Sequence, residues 1–247
     1  MKLHPLVGAA AVALLLVGVG PSWAQTRVAA EPGDNQPTVL RAPSAKGWPL
    51  VISAPGHYTL NAPLVVPAGQ SALRIVAPQV TINLNGHAIA GPGLCRLNTR
   101  FAIACQGNSD TGVAQGVQID ALAHDAVVRD GTISGFETGL SFRAAGRIER
   151  LRVSHNSLVG VELHGGAVLQ VHELRAELND TALFAGDGRF SIERAQLQFN
   201  GIAVRADRAS LIADSLISDN GLGLDGAVAQ RGSRISENRM DASPRRF

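Results

Sequence analysis

A small set of charged side chains in the middle of the sequence has the residue types that general acid–base chemistry needs. Asp120, Glu162 and His164 offer carboxylates and an imidazole for proton transfer, and Arg143 offers a fixed positive charge. Together such groups can move a proton onto or off a substrate and stabilise the charge that develops. Because these residues lie far apart in the sequence, they can act together only if the fold stacks the segments that carry them.

A short repeated motif predicts how the fold stacks these segments. The pattern aliphatic-x-x-Asn recurs with variants, and its last residue falls at Phe136, Asn156, Asn179, Asn200, Asn220 and Asn238, in steps of 20, 23, 21, 20 and 18 residues. Each unit also contains alternating apolar positions, which are typical of strands. A period near 20 with three short strands per unit predicts an all-β solenoid, in which stacked coils bury one continuous apolar column.

Two segments near the start of this region resemble a known group of proteins. Residues 52–60 (ISAPGHYTL) and 80–91 (VTINLNGHAIAG) are similar to the opening coils of secreted bacterial right-handed parallel β-helix repeat proteins with the pectin-lyase-like fold. The resemblance covers about residues 50–240 and implies a single right-handed parallel β-helix of about seven coils. Members of this group include lyases, hydrolases, epimerases and proteins without a known reaction, so the resemblance is specific for fold and weak for activity.

Stacked coils arrange equivalent residues into columns, and one outward face of the solenoid collects the candidate site. The first predicted column is Gln118, Ser141, Glu162, Phe184, Ala203 and Gly223, and the second is Asp120, Arg143, His164, Gly186, Arg205 and Asp225. We expect the catalytic residues of an enzyme to be Asp120, Glu162 and His164. The expected substrate-binding residues are Arg143, Arg205, Gln118 and Phe184.

The resemblance implies that this face binds an extended polysaccharide. Phe184 is the one ring assigned to the face, so arginine recognition of an acidic glycan is favoured over ring stacking on a neutral one. One interpretation is an enzyme, either a polysaccharide lyase, a glycoside hydrolase or an epimerase. The other is a non-catalytic scaffold or adhesive protein that binds an envelope glycan or a protein. No cofactor and no metal site are predicted, and the oligomeric state is left open.

Two further columns are predicted at the ends of the strands. Asparagines that end the motif are expected to bond to turn backbone or to one another. Six residues before each motif end, charged residues alternate in sign: Asp130, Arg150, Glu173, Arg194 and Asp214. This second column is interpreted either as a self-neutralising structural ladder or as a charged binding stripe, and the weak energetics of exposed ion pairs favour the first.

The amino terminus has the pattern of an export signal. Lys2 precedes an apolar run from Leu6 to Val19, and a small-x-small pattern ends at Ala24. Residues 1–24 are therefore predicted to be a signal peptide, followed by a flexible lead-in at 25–48. The β-helix domain is expected at 49–247, with an inserted loop at 94–115. No later segment is long enough to span a membrane. These features predict a secreted or periplasmic protein.

Charge and cysteine content narrow the partners. The sequence has 22 basic and 20 acidic residues, a net charge of +2, which argues against a strongly basic nucleic-acid binder. Its two cysteines, Cys95 and Cys105, lie close together in the inserted loop. Without a nearby histidine pair they make a poor zinc site, and in an exported protein they are predicted to form a disulfide.

Overall fold

The structure is a computed structural model that describes residues 26–28, 36–44, 46–106 and 114–242. The predicted signal peptide at 1–24 lies outside these ranges.

The described chain consists of strands and turns, and it includes no helix of the length and apolarity needed to cross a membrane. The strands are β1 (Arg27–Val28), β2 (Thr38–Leu40), β3 (Leu50–Ile52), β4 (Gly56–Leu60), β5 (Leu64–Val65), β6 (Leu73–Ile75), β7 (Val80–Asn83), β8 (Ala88–Ala90), β9 (Leu94–Thr99), β10 (Ala102–Gln106), β11 (Gln115–Ile119), β12 (Ala126–Ser134), β13 (Thr138–Phe142), β14 (Gly146–Ser154), β15 (Val159–Leu163), β16 (Val168–His172), β17 (Arg175–Glu177), β18 (Thr181–Ala185), β19 (Arg189–Glu193), β20 (Gln196–Gln198), β21 (Ile202–Ala213), β22 (Leu216–Ser218), β23 (Leu222–Arg231), β24 (Arg234–Ser236) and β25 (Met240–Ala242).

All pairings between coils are parallel, and they build three sheets that wind around one core. The first sheet contains β1, β3, β6, β11, β13, β15, β18, the starts of β21 and β23, and β25. The second contains β2, β4, β7, the starts of β12 and β14, β16, β19, and the ends of β21 and β23. The third contains β5, β8, the ends of β12 and β14, β17, β20, β22 and β24. The predicted right-handed parallel β-helix is confirmed.

The solenoid is longer than predicted, because the first sheet stacks ten strands and therefore about ten turns rather than seven. The additional length lies at the amino-terminal end, where the coils lack the asparagine motif that revealed the period. There β1 pairs with β3 and β2 pairs with β4. Part of the segment expected to be a flexible lead-in thus extends the first sheet, through β1, and the second sheet, through β2.

The core is the predicted column of stacked aliphatic residues. Successive coils contribute Val153, Ala176, Leu197, Ile217 and Ile235, each paired with the next. The first four of these side chains are fully buried, and Ile235, at the carboxyl-terminal coil, is partly buried. Each coil contributes apolar side chains to this shared interior, so no coil could bury its inner face without its neighbours.

One corner of the later coils, between the third and the first sheet, carries a buried asparagine at Asn156, Asn179, Asn200 and Asn220; we call these turns the Asn corner. The backbone N–H of Asn156 donates to Oδ1 of Asn179 (3.2 Å), that of Asn179 to Asn200 (3.1 Å), and that of Asn200 to Asn220 (2.9 Å). Phe136, which stands in the asparagine position, donates its N–H to Asn156 in the same way (3.1 Å). The predicted structural role of this column is confirmed.

A second corner, between the second and the third sheet, carries the alternating charges; we call it the charged bend. Its residues Asp130, Arg150, Glu173, Arg194 and Asp214 all have positive φ, between 49° and 61°. This left-handed conformation turns the chain sharply within one residue, although it is unfavourable for side chains other than Gly, Asn or Asp. The alternation is confirmed: Arg150 Nε lies 2.6 Å from Asp130 Oδ1, and Arg194 lies 3.3 Å from Glu173.

The inserted segment forms an antiparallel hairpin of β9 and β10, and the predicted disulfide between Cys95 and Cys105 is present. The hairpin leaves the solenoid after β8 and packs against the Asn corner. His155 Nδ1 lies 2.9 Å from the carbonyl oxygen of Cys95. Near the hairpin turn, Arg100 binds Asp219 (2.9 Å) and Glu237 (3.2 Å) in the last coils.

Candidate functional site

The outward face of the first sheet, here called the first-sheet face, carries the residues that sequence reasoning selected. The strand register gives the column Arg74, Gln118, Ser141, Glu162, Phe184, Arg205 and Asp225. The predicted column is therefore right as far as Phe184. From there it is wrong by two residues, because Ala203 and Gly223 are buried and Arg205 and Asp225 take their places.

The slip has an identifiable cause in the turn sequences. Gly201 directly follows Asn200, whereas Gly160 follows Asn156 by four residues, so aligning these two glycines shifts the later coils by two residues. Counting from the asparagine avoids this error, since Leu183 and Val204 each lie four residues after one and pair with each other. The asparagine therefore gives the register of the later coils, whereas the turn after Asn156 is one residue longer, because Val161 lies five residues after it and pairs with Leu183.

The structure divides the predicted catalytic residues into two groups. Glu162 and His164 are in contact, with His164 Nε2 at 3.1 Å from Glu162 Oε1. Asp120 is held elsewhere, by Arg74 Nη2 at 2.7 Å and by Gln118, whose amide donates to it at 2.9 Å. Two coil steps, about 9.6 Å, separate β11 from β15. Gln118 thus helps to position Asp120, and its predicted part in substrate binding stays a prediction.

The remaining predicted residues lie on the same face and differ in their burial and in their ion-pair partners. Phe184 is half-buried between Glu162 and Arg205. Its ring lies close to Gly186, because a Cβ atom built on that glycine would be 3.7 Å from Cζ of Phe184. Arg205 binds Asp225 at 2.6 Å. Arg143 is exposed, and no carboxylate partner for it occurs within 4.0 Å in the described ranges. Ion pairs thus neutralise much of the first-sheet face.

A second candidate site, which sequence reasoning did not select, is a groove beside the charged bend; we call it the arginine groove. Two adjoining segments of about 570 and 480 Å³ share Arg194 and Gln196 and run along the solenoid. Together they are lined by the arginines Arg150, Arg152, Arg175, Arg194 and Arg234. From Thr132 to Arg234 the groove crosses five coil steps, about 24 Å.

The charged bend creates this groove. After each residue with positive φ, the next side chain turns into the core, so that Leu151 and Leu174 are buried beneath the groove. The residue after that faces outward again from the third sheet. The groove is therefore flanked on one side by Arg150 and its column, and on the other by the column Thr132, Arg152, Arg175, Gln196, Leu216 and Arg234.

The groove arginines differ in their partners. Arg150 binds Asp130, and this hydrogen bond raises the pKa of its guanidinium further above the usual value. Arg152 binds Glu177, and Arg194 binds Glu173. Arg175 stands apart: its Nη2 donates to Gln196 Oε1 at 2.9 Å, and in the part of the chain that the structure describes no carboxylate lies within 4.0 Å of it.

A signal for the groove was present in the sequence. The flanking column falls four residues before each motif end, just as the bend column falls six residues before it. The bend column taken alone is self-neutralising, which favours a structural interpretation. The two columns considered together have an excess of arginine, and only the sharp bend between them makes that excess face one groove.

Comparisons with known proteins leave the function to be argued from this geometry. No protein-family model and no curated protein sequence matches this chain. Among solved structures, the Dettilon tailspike protein (gp208) is similar over 85% of this chain, with 11% identity and a TM-score of 0.43. The similar region spans 46% of the tailspike chain. Within the described residues, no group of three or more His, Cys, Asp or Glu side chains is arranged to hold a metal ion.

Proposed function

We propose that this protein binds an extended acidic polysaccharide along the arginine groove. The observation that supports this most strongly is the arrangement of five arginines along an open channel that follows the solenoid axis for about 24 Å. A guanidinium matches the geometry of a carboxylate or sulfate group and can donate two hydrogen bonds to it. The length and openness of the groove suit a linear chain better than a small compact ligand.

The chemistry of the lining favours a glycan over a nucleic acid. No aromatic ring lines either groove segment among the described residues, whereas single-stranded nucleic acids are held by bases stacked on such rings. Thr132 and Gln196 provide hydrogen-bonding groups for sugar hydroxyls instead. We place the function outside the cytoplasm, in a secreted or periplasmic protein, because the disulfide persists in an oxidising compartment.

The ion pairs of the groove are compatible with ligand exchange. The side chains of Arg194 and Glu173 are 57% and 46% exposed, and such solvated pairs contribute little to stability. A polysaccharide anion can therefore replace or join the protein carboxylate at modest cost. Arg175, whose hydrogen bond goes to a neutral amide, can donate to an oxygen atom of the ligand without first breaking an ion pair.

The test compares two exposed arginines that both lack a carboxylate partner among the described residues. We expect Arg175→Ala to weaken binding of a responsive glycan about tenfold, which corresponds to about 1.4 kcal/mol. Arg143→Ala, on the first-sheet face, removes the same charge and is the matched control. Binding to pectate, alginate and glycosaminoglycans is measured by calorimetry at two salt concentrations, because screening should weaken it. Loss of binding in the Arg143 variant alone would move the site to the first-sheet face.

A catalytic function at the first-sheet face is a second candidate, supported by the contact between His164 and Glu162. In this proposal the pair transfers protons while Phe184 and Arg205 hold a sugar, in a lyase, a hydrolase or an epimerase. The assay follows unsaturated products and new reducing ends from the same glycans. Product formation that disappears in His164→Ala, with the circular dichroism spectrum unchanged, supports an enzyme. Binding without product formation supports a scaffold or adhesive protein.

A further inference from the structure

The charges along the arginine groove follow a pattern with a period of two coils. Counted coil by coil, the formal charges of Arg150 and Arg152 are both positive, although their ion-pair partners Asp130 and Glu177 lie in the coils on either side. In the next coil the formal charges of Glu173 and Arg175 sum to zero, and the carboxylate of Glu173 pairs with Arg194 one coil further on. Arg194 then contributes a positive charge opposite the neutral Gln196, and Asp214 contributes a negative charge in the following coil. Arg234 makes the last coil of the groove positive, opposite Gly232. Positive coils therefore alternate with coils that are neutral or negative.

The spacing of this pattern corresponds to a disaccharide. Positive coils are two strand spacings apart, about 9.6 Å, and a sugar unit in an extended chain is about as long as one coil step. A glycan lying along the groove would present successive sugars to successive coils. An anionic sugar suits the coils of Arg152, Arg194 and Arg234, while Glu173 and Asp214 disfavour an anion in the coils between them. In the coil of Glu173, Arg175 donates instead to the neutral oxygen atoms of a sugar.

We infer that the arginine groove selects linear polysaccharides that carry one anionic group per disaccharide, and discriminates against polymers that are charged at every sugar. This inference rests on the proposed function and specifies its ligand. At the positive coils the guanidinium groups bind a carboxylate or a sulfate. At the intervening coils the carboxylates of Glu173 and Asp214 accept hydrogen bonds from sugar hydroxyls and repel a second anion.

The pattern makes a prediction opposite to that of bulk charge. A hexasaccharide of alternating uronate and N-acetylhexosamine carries half as many carboxylates as a homogalacturonate hexasaccharide of equal length. A groove that attracts anions without discrimination would prefer the homogalacturonate. We expect the alternating hexasaccharide to bind at least tenfold more tightly, measured by calorimetry at equal ionic strength with a chelator present to remove calcium.

Neutralising the intervening carboxylates should reduce this preference. We expect Glu173→Gln combined with Asp214→Asn to strengthen homogalacturonate binding at least fivefold and to narrow the difference between the two ligands. The matched control combines Glu193→Gln with Asp225→Asn, which removes two carboxylates from other faces of the solenoid and should leave the preference unchanged.

The outcomes separate this inference from the proposed function. Equal or tighter binding of homogalacturonate, with both ligands weakened by Arg175→Ala, would overturn the alternating selectivity and leave groove binding intact. If long acidic polysaccharides bind neither the parent protein nor its variants, the proposed function fails and the selectivity fails with it. If they bind but are insensitive to Arg175→Ala, the ligand lies outside the groove, which also overturns both.

Discussion

The Asn corner and the charged bend use the same backbone device for opposite purposes. Each turns the chain with a single residue of positive φ, such as Leu178 (56°) at the Asn corner and Glu173 (55°) at the charged bend. At the Asn corner the next side chain is a buried amide. At the charged bend the next side chain is aliphatic or small, and the polar group belongs to the turning residue itself, which faces solvent.

The two corners consequently differ in how their polar groups are satisfied. Asn179 accepts two hydrogen bonds from Asn156 and donates to the carbonyl oxygens of Val153 and Glu177 and to Asn200. It is fully buried, so water cannot replace these bonds. The charges of the bend are solvated, and a ligand can replace their partners. The same turn can thus fix the stack of coils or present a binding surface, depending on which residue carries the polar group.

The largest expected effect of a single substitution is at the Asn corner. Asn179→Ala should destabilise the protein by about 3–5 kcal/mol, because it leaves the N–H of Asn156 and the carbonyl of Val153 buried without partners. Urea unfolding gives the measurement. Gln198→Ala is the control, since Gln198 bonds to Ser218 on a partly exposed surface. Equal losses in the two variants would contradict the structural role of the buried amide.

Removal of the disulfide should have the next largest effect. The bridge joins cysteines ten residues apart, and a closed loop of that size contributes about 2–3 kcal/mol by restricting the unfolded chain. We expect the double variant Cys95→Ser/Cys105→Ser to lose stability of this order in thermal unfolding. Arg100→Ala, which removes exposed ion pairs but keeps the bridge, should lose less. The reverse order would mean that the ion pairs, rather than the bridge, hold the hairpin on the Asn corner.

Substitution at the charged bend should affect stability less than either of these two changes. Glu173→Gln breaks an exposed pair with Arg194, and such pairs contribute less than about 1 kcal/mol. We therefore expect an unfolding midpoint close to that of the parent, although the glycan preference changes. A loss comparable to that of Asn179→Ala would show that the bend is structural and would remove the contrast between the corners.

The smallest expected effect depends on pH and lies next to the end of the asparagine ladder. Burial raises the pKa of Glu137 above its ordinary value, and a backbone hydrogen bond from Ala114 offsets part of this rise. The folded state therefore favours the protonated form, and stability falls as pH rises through the pKa range of the carboxyl. Glu137→Gln should be slightly more stable than the parent at pH 7, with the difference vanishing near pH 4. A constant difference across this range would assign the effect to packing instead.

Much of the fold could be predicted because the residue types at buried positions recur in the sequence with the period of the coils. Val153, Leu197 and Ile217 had to be apolar to fill one column, and the asparagines had to recur to satisfy each turn. The amino-terminal coils were less visible. They contain the core residues Leu50 and Leu73 but no asparagine motif to mark the period, so the motif reveals fewer coils than the solenoid has.

The candidate site was less predictable because it depends on geometry that periodicity does not encode. The columns of Arg150 and Arg152 were both present in the sequence, but the left-handed bend that turns them toward one groove is adopted by residues that rarely show positive φ. At the first-sheet face, a two-residue error in one turn placed Arg205 in the wrong column. The predicted catalytic roles of Asp120, Glu162 and His164 remain predictions.

The hairpin changes how the carboxyl-terminal coils of the solenoid unfold locally. Contacts in a stack of coils mostly join neighbours about 20 residues apart, so terminal coils of such proteins fray one after another. Arg100 instead reaches residues 119 and 137 positions later in the chain, Asp219 and Glu237. It couples the opening of the last coils to a segment that leaves the solenoid several coils earlier. Slow amide exchange in β22 and β24, accelerated by Arg100→Ala, would be the signature of that long-range coupling.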